Sequence, residues 1–150
     1  MEIERKFLLR ALPPGFETLQ GTPIAQGYLA VEPGGRQVRL RKKGTSFFLT
    51  AKSAPKGYAR DEIEIELTPA QFDALWPLTG GRRLTKKRFE APFGGRTVEI
   101  DVYGGKHQGL VVAEVEFESE AAAHAFAPPE WFAEDISARP EYSNRNLASE

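Results

Sequence analysis

The sequence EIEIEL, residues 62–67, alternates acidic and aliphatic side chains. Successive side chains of a β-strand point to opposite faces, so this run predicts a strand with one charged face and one apolar face. Its flanks limit it, because SAPKG at 53–57 is typical of a turn and TPAQ at 68–71 of a helix start. We therefore predict a strand over 58–67 and a helix over 68–78.

Similar alternation recurs along the chain between turns rich in glycine and proline. Solvated sheet faces usually carry threonine, serine and scattered mixed charges, whereas these polar faces are almost purely ionic and are sorted by sign from strand to strand. Together with 58–67, the predicted strands are residues 1–9, 24–31, 36–43, 46–53, 84–91, 96–103 and 110–118.

A sheet with such faces can close on itself, with the charges lining the interior and the apolar faces turned outward. The exterior then needs a cover, which helices predicted over 68–78 and 119–127 would provide; a third short helix is predicted over 140–149. We predict one domain, residues 1–150, of the α+β class: an eight-stranded antiparallel β-barrel, or tunnel, with a charged lumen and helices packed on the outside.

Composition excludes several functional classes. The absence of cysteine excludes disulfides, thiolate catalysis and cysteine-ligated zinc, and two histidines are too few for a histidine-rich metal site. The formal net charge of -1 excludes a uniformly basic nucleic-acid-binding arm. No apolar run approaches the ~20 residues of a membrane span. We expect a cytoplasmic protein with neither a membrane nor a specific nucleic acid as partner; the sequence leaves a homodimer open.

The charges of the predicted lumen indicate its ligands. Buried like charges are costly unless they are paired or neutralised by a ligand. Some of this charge can cancel in cross-strand pairs, and the remainder fits a linear polyanion with a divalent cation. Because carboxylates suit Mg²⁺ or Mn²⁺, and arginine and lysine bind phosphate oxygens, the pattern predicts polyphosphate with one of these metals. The cationic positions are Lys6, Arg39, Arg41, Lys52, Lys86 and Arg88. The acidic positions are Glu2, Glu4, Glu62, Glu64, Glu99, Asp101, Glu114 and Glu116.

The first strand contains an ExExK motif, Glu2-Ile3-Glu4-Arg5-Lys6. With the segments that follow it, the chain resembles the CYTH superfamily, the triphosphate tunnel metalloenzymes, over essentially its whole length. One departure is SARPEYSN at 137–144, where short members of the family often carry an aspartate and a basic residue before the tyrosine. The other matching segments are QGYL at 26–29, VRLRKKG at 38–44, LTAKS at 49–53, RDEIEIEL at 60–67, TKKRFE at 85–90, VEIDVY at 98–103, GLVVAEVEFES at 109–119 and EYSNRNLA at 141–148.

The resemblance implies an eight-stranded antiparallel barrel whose tunnel binds triphosphate-containing substrates with Mg²⁺ or Mn²⁺. It implies that metal is held by Glu2, Glu4, Glu114 and Glu116, which with Lys6 form the expected catalytic set. It implies that phosphates are held by Lys6, Arg39, Arg41, Lys52, Lys86 and Arg88. The remaining tunnel acids would orient cations without being the main metal ligands: Glu62, Glu64, Glu99 and Asp101.

We therefore predict a metal-dependent hydrolase of triphosphates, above all inorganic tripolyphosphate, that releases phosphate by in-line attack of water. Positioning and electrostatic stabilisation do most of the catalysis in such a reaction, and no covalent nucleophile is needed. Two alternatives stay open. One is a thiamine or nucleoside triphosphatase. The other is a non-catalytic polyphosphate-binding module, which would not require the carboxylates that this sequence retains.

Overall fold

One antiparallel sheet of ten strands dominates the structure, a computed structural model that describes residues 1–149. Glu150, which belongs to the predicted domain, lies outside the described residues. The strands are β1 (Glu2–Leu9), β2 (Thr22–Val31), β3 (Gln37–Lys43), β4 (Ser46–Lys52), β5 (Ala59–Arg60), β6 (Glu62–Leu67), β7 (Arg83–Phe93), β8 (Arg96–Tyr103), β9 (Val111–Glu116) and β10 (Phe132–Asp135). The α-helices are α1 (Pro69–Leu75), α2 (Glu120–Ala125) and α3 (Asn144–Ser149), and 3₁₀ turns occur at Phe16–Thr18, Trp76–Thr79, Gly105–His107 and Pro140–Tyr142.

The strands follow the order β10-β1-β9-β8-β7-β2-β3-β4-β6, and β5 pairs with β1 outside this path. In that short ladder Glu2 lies opposite Arg60 and Ile3 opposite Ala59. The α+β class and the antiparallel sheet are confirmed. The closed eight-stranded barrel is not, because within residues 1–149 the sheet has ten strands and its path ends at β10 and β6 without closing.

Two local features explain the different strand count. The predicted strand 58–67 is interrupted at Asp61, whose backbone N–H and C=O bond to Ser53 Oγ (2.9 Å) and Ser53 N (3.0 Å) rather than to a sheet neighbour. The chain therefore leaves β1 after β5 and pairs with β4 as β6. The strand β10 was not predicted, since four residues are too few to show alternation; it covers the edge of β1 at Phe7 and Leu9.

The helices cover the sheet only in part. α1 begins with the capping box predicted at its start, in which Thr68 and Gln71 bond each other's backbone N–H groups, and Phe72 packs on Phe47 of β4. α2 places Ala123 in a core formed by β1, β7, β8 and β9. The outer face of β6 has little cover, since Ile63 is 70% exposed and Ile65 52% exposed.

α3 lies at one end of the sheet, where it packs against buried residues of β2, β7, β8 and β9. The loop between β8 and β9 holds its last carbonyls: the His107 ring Nε2 donates to Leu147 O (2.6 Å) and Lys106 Nζ to Ala148 O (3.1 Å). Tyr103 Oη also donates to the side chain of Asn144. These bonds fix α3 across the end of the sheet. Among the helices of residues 1–149, none has the length and hydropathy needed to span a membrane.

Candidate active site

A cavity of about 620 Å³ lies against the charged face of the sheet. Alternation along the strands brings side chains of both signs to it. Three predicted site residues do not line it: Lys86 and Asp101 are buried behind it, and Glu64 is exposed on β6, where it accepts a hydrogen bond from Thr50 Oγ1 (3.1 Å). The predicted residues that do line the cavity are Glu2, Glu4, Lys6, Arg39, Arg41, Lys52, Glu62, Arg88, Glu99, Glu114 and Glu116.

A cluster of carboxylates marks one part of the cavity. Glu4 and Glu116 face each other across β1 and β9, and Glu2 lies two residues before Glu4 on the same face. One carboxylate oxygen from each lies within 4.8 Å of the others, the only such group found in the described part of the chain. Three converging oxygen donors suit a hard divalent cation.

The carboxylates of this cluster resist ionisation. Burial and the Glu114 carboxylate raise the pKa of Glu4 to about 8, with Lys52 opposing and Glu2 adding to the shift. Burial also raises the pKa of Glu2 and of Glu116, helped by neighbouring acids. Such shifts indicate carboxylates short of positive charge, and a bound cation would supply it.

Glu114, also predicted as a metal ligand, lies next to cations of the cavity wall. It faces Lys6 of β1, whose Nζ is 4.0 Å away, and Arg88 approaches it to 3.4 Å. Burial acts to raise its pKa, but Arg88, Lys86 and Lys6 together lower the value to about 2. Arg88 and Lys6 therefore hold the Glu114 carboxylate in ion pairs.

A buried network holds two predicted phosphate ligands. Asp101 accepts from Lys86 Nζ (2.6 Å) and from Arg88 Nε and Nη2 (2.7 and 2.8 Å), and Glu99 lies 3.2 Å from Arg88. Burial lowers the pKa of Lys86 to about 7 despite Asp101. The side chains of Lys86 and Asp101 are both 0% exposed. Lys86 therefore supports the wall of the cavity without facing it.

Two arginines of β3 differ from Arg88 because no carboxylate pairs with them in residues 1–149. Arg39 is 4% exposed, and its Nε is buried with no hydrogen-bond partner in the described part of the chain. Arg41 is 8% exposed, and its one hydrogen-bond acceptor among residues 1–149 is the side-chain oxygen of Gln26 (3.1 and 3.3 Å). Burial and the nearby Arg39 and Arg88 lower the pKa of Arg41 to about 10. Guanidinium groups buried in this way are ready to bind an anion.

Lys52 is a cation of the cavity wall that contacts acidic side chains. Its Nζ lies 3.3 Å from Glu2 and 3.7 Å from Glu62, and its side chain is 10% exposed. The pKa of Glu62 is lowered: burial opposes this, while a hydrogen bond shared with Glu2 and the charge of Lys52 favour it. Lys52 thus pairs with one acid of the carboxylate cluster, Glu2, and with Glu62 beside it, while facing the cavity.

Sequence reasoning missed several lining residues. Tyr28 and Arg60 line the cavity, and each is in phase with charged or polar neighbours on its strand, so alternation contained the signal. The segment 136–145 also lines it, and Lys6 Nζ donates to the backbone oxygen of Tyr142 (2.7 Å). No periodic pattern in the sequence predicts that contact, because the chain is irregular before α3.

Comparisons with known proteins agree with this geometry. The family model described as the CYTH domain matches residues 1–147. An inorganic triphosphatase of Nitrosomonas europaea is 44% identical over 148 residues, covering 98% of this chain and 96% of that protein. An inorganic triphosphatase of Acetivibrio thermocellus is 30% identical over 148 residues, with 97% and 92% covered. A crystal structure described as an inorganic triphosphatase aligns with a TM-score of 0.73 at 42% identity, covering 100% of this chain and 95% of the other.

Proposed function

Because this chain belongs to the CYTH domain family, we propose that it is a divalent-metal-dependent triphosphatase that hydrolyses inorganic tripolyphosphate. The observation that carries the proposal is the pair Arg39 and Arg41, buried in the cavity with no carboxylate partner among the described residues. The buried positive charge of these arginines favours the binding of an anion. The adjacent cluster of Glu2, Glu4 and Glu116 favours the binding of a cation. A metal-bound triphosphate satisfies both.

We further propose that the sheet encloses the substrate as a tunnel. The ladder between β1 and β5 supports this. A single residue separates β5 from β6, so the chain connects β1, near one end of the strand order, to β6 at the other end. Segment 136–145 lines the same cavity, and α3 lies across one end of the sheet. A substrate in such a space is held away from bulk water, which strengthens each charge–charge contact.

Glu2, Glu4 and Glu116 fit Mg²⁺ or Mn²⁺ by the chemistry of their oxygen donors and by their raised pKa values. When bound, the metal would neutralise phosphate charge and lower the pKa of a water molecule for in-line attack. Glu114 is a further proposed ligand; to reach the metal it would have to exchange its contacts with Lys6 and Arg88.

The cationic side chains then position the substrate. Arg39 and Arg41 donate to phosphate oxygens, and Lys52 and Lys6 face the same cavity. These donors are fixed before the reaction, so they stabilise the charge that spreads over the transferred group in the transition state. Arg88 is held by Asp101, Glu99 and Glu114, so it lines the cavity as a paired cation with less charge available to phosphate than Arg39 or Arg41.

A second candidate substrate is an organic triphosphate, such as thiamine or nucleoside triphosphate. The observation in its favour is that part of the cavity wall is aromatic or aliphatic, at Tyr58, Ile136 and Tyr142. Phosphate needs no such wall, whereas an attached ring would pack on it. We also propose a cytoplasmic location and leave a homodimer as a proposal, for which the exposed Ile63 and Ile65 offer a surface.

The test is phosphate release from tripolyphosphate, thiamine triphosphate, ATP and pyrophosphate, each with Mg²⁺, Mn²⁺ or a chelator. We expect fastest release from tripolyphosphate, dependence on metal, and loss of most turnover in Glu4→Gln. Glu17→Gln, which removes an exposed carboxylate from the 3₁₀ turn Phe16–Thr18, is the matched control and should behave as wild type. Binding of tripolyphosphate without release under any metal condition would favour the non-catalytic polyphosphate-binding module.

A further inference from the structure

Gln26 is fully buried behind the cavity, in contact with two side chains that line it. It is 0% exposed and lies directly opposite Arg41 in the ladder between β2 and β3. Its side-chain oxygen accepts from Arg41 Nε (3.3 Å) and Nη2 (3.1 Å), and its Nε2 donates to Tyr28 Oη (3.0 Å). Gln26 does not line the cavity, whereas Arg41 and Tyr28 do.

Hydrogen-bonding capacity fixes the orientation of this amide. A guanidinium only donates, so the Gln26 oxygen must face Arg41, and the amide nitrogen must face Tyr28. The Tyr28 oxygen therefore accepts from Gln26, which leaves the hydroxyl proton free to point away from it. The Gln26 amide thus orients two donors at the cavity wall, the charged guanidinium of Arg41 and the neutral hydroxyl of Tyr28.

The contrast with Arg88 shows why a neutral partner matters. Arg88 is held by both oxygens of Asp101, and this carboxylate cancels much of its charge. Arg41 is held just as deep in the protein, at 8% exposure against 7% for Arg88, but by an uncharged amide. Gln26 therefore orients Arg41 without removing the charge that an anion would bind.

We propose that Gln26 is a positioning residue that keeps Arg41 directed at the cavity as an uncompensated cation, and thereby sets the affinity for the triphosphate. This inference rests on the proposed function. Gln26 itself makes no contact with substrate; it acts through Arg41. A glutamate at this position would keep the shape and the acceptor but neutralise Arg41.

The experiment measures binding of inorganic tripolyphosphate by calorimetry with a chelator present, and KM and kcat with metal present. Gln26→Glu should weaken binding about tenfold or more, because a charge-assisted contact to phosphate is lost, and should raise KM more than it lowers kcat. Gln71→Glu makes the same chemical change in the capping box of α1, where glutamate is also accepted, and should leave binding unchanged.

A double-mutant cycle separates positioning from packing. Gln26→Met should weaken binding in the wild-type background. It should have no further effect in Arg41→Gln, because Arg41, the residue that Gln26 orients, is then absent. A packing role would instead lower stability in both backgrounds and give additive effects on binding. The cycle also keeps the test valid if Gln26→Glu fails to fold.

Unchanged binding in Gln26→Glu, or additive effects in the cycle, would overturn the inference while leaving the triphosphatase activity of the wild type intact. A wild-type protein that binds tripolyphosphate with the expected Gln26 dependence but never hydrolyses it would overturn the proposed activity alone. A wild-type protein that neither binds nor hydrolyses tripolyphosphate would overturn both.

Discussion

At the scale of single residues, Asp101 has the least freedom to change, because buried cations occupy both of its carboxylate oxygens. Asp101→Asn would leave Lys86 and Arg88 short of negative charge in a site closed to water. Breaking a buried ion pair from one side costs about 3–5 kcal/mol, and we expect a loss of this size in the free energy of unfolding, measured with urea.

Asp73→Asn is the control for the Asp101 substitution, since Asp73 lies on α1 and is exposed. It should change stability by less than about 0.5 kcal/mol. Equal effects of the two substitutions would show that the network around Asp101 does not stabilise the fold.

Glu4 makes stability depend on pH. Burial and the Glu114 carboxylate raise its pKa from 4.5 to about 8 in the folded protein, so that state retains a proton that the unfolded chain releases. Stability therefore falls as the pH rises between these two values. With a chelator present, the unfolding free energy should fall more steeply for wild type than for Glu4→Gln, followed by urea titrations across this range.

The prediction about Glu4 fails if wild type and Glu4→Gln lose stability in parallel. Asp61→Asn, on an exposed residue at the break between β5 and β6, is the matched control and should follow wild type.

Alternation predicts which face a side chain occupies but not its partner on that face. It correctly brought Glu2, Glu4 and Arg39 to one cavity. It also placed Lys86 among the cations of the predicted lumen, whereas the structure holds this side chain on Asp101 behind the cavity wall. That outcome depends on the register between β7 and β8 and on the depth of each position, and neither is contained in the pattern of one strand.

At the scale of elements, the contact between β2 and the 3₁₀ turn after α1 is tight. A Cβ added at Gly27 would lie 2.8 Å from Thr79 Cβ and Cγ2. Thr79 cannot easily shift, because its hydroxyl donates to Trp76 O and accepts from Arg83 Nε, both at 2.7 Å. Gly27→Ala should therefore cost about 1–3 kcal/mol of stability, measured by urea unfolding.

Gly34→Ala is the control for Gly27→Ala, since no atom lies within 4 Å of the added Cβ. It should change stability by less than about 0.5 kcal/mol. A Gly27→Ala protein as stable as Gly34→Ala would mean that the turn yields at little cost.

The capping box of α1 was predictable because Thr68, Pro69 and Gln71 specify it locally. The interruption at Asp61 was not, because it arises from hydrogen bonds to Ser53, eight residues away. Elements with a clear signal in their own sequence were therefore predicted, whereas the break at Asp61 and the four-residue strand β10 were missed.

At the scale of the whole molecule, the cavity links ligand binding to stability. In the binding mode proposed above, tripolyphosphate binds only the folded state, since the unfolded chain separates Arg39 and Arg41 from Lys6 and Lys52. A ligand at 100 times its Kd raises the unfolding free energy by about 2.7 kcal/mol. We expect a shift of this size in chelator, measured by thermal or urea unfolding, and a much smaller one for Arg39→Gln at the same ligand concentration. An equal shift in the two proteins would place the anion elsewhere.

The contacts of strand β1 limit the order in which parts of the fold can assemble during synthesis. Glu4 lies opposite Glu116 in the ladder between β1 and β9. The backbone N–H of Lys6 donates to Ser137 Oγ, and the Lys6 ammonium donates to Tyr142 O. These partners emerge from the ribosome more than a hundred residues after β1. Before that point β5 is the one described neighbour with which β1 can pair, and the carboxylate cluster cannot assemble until translation has passed residue 116, whereas Arg39, Arg41 and Gln26 are made much earlier.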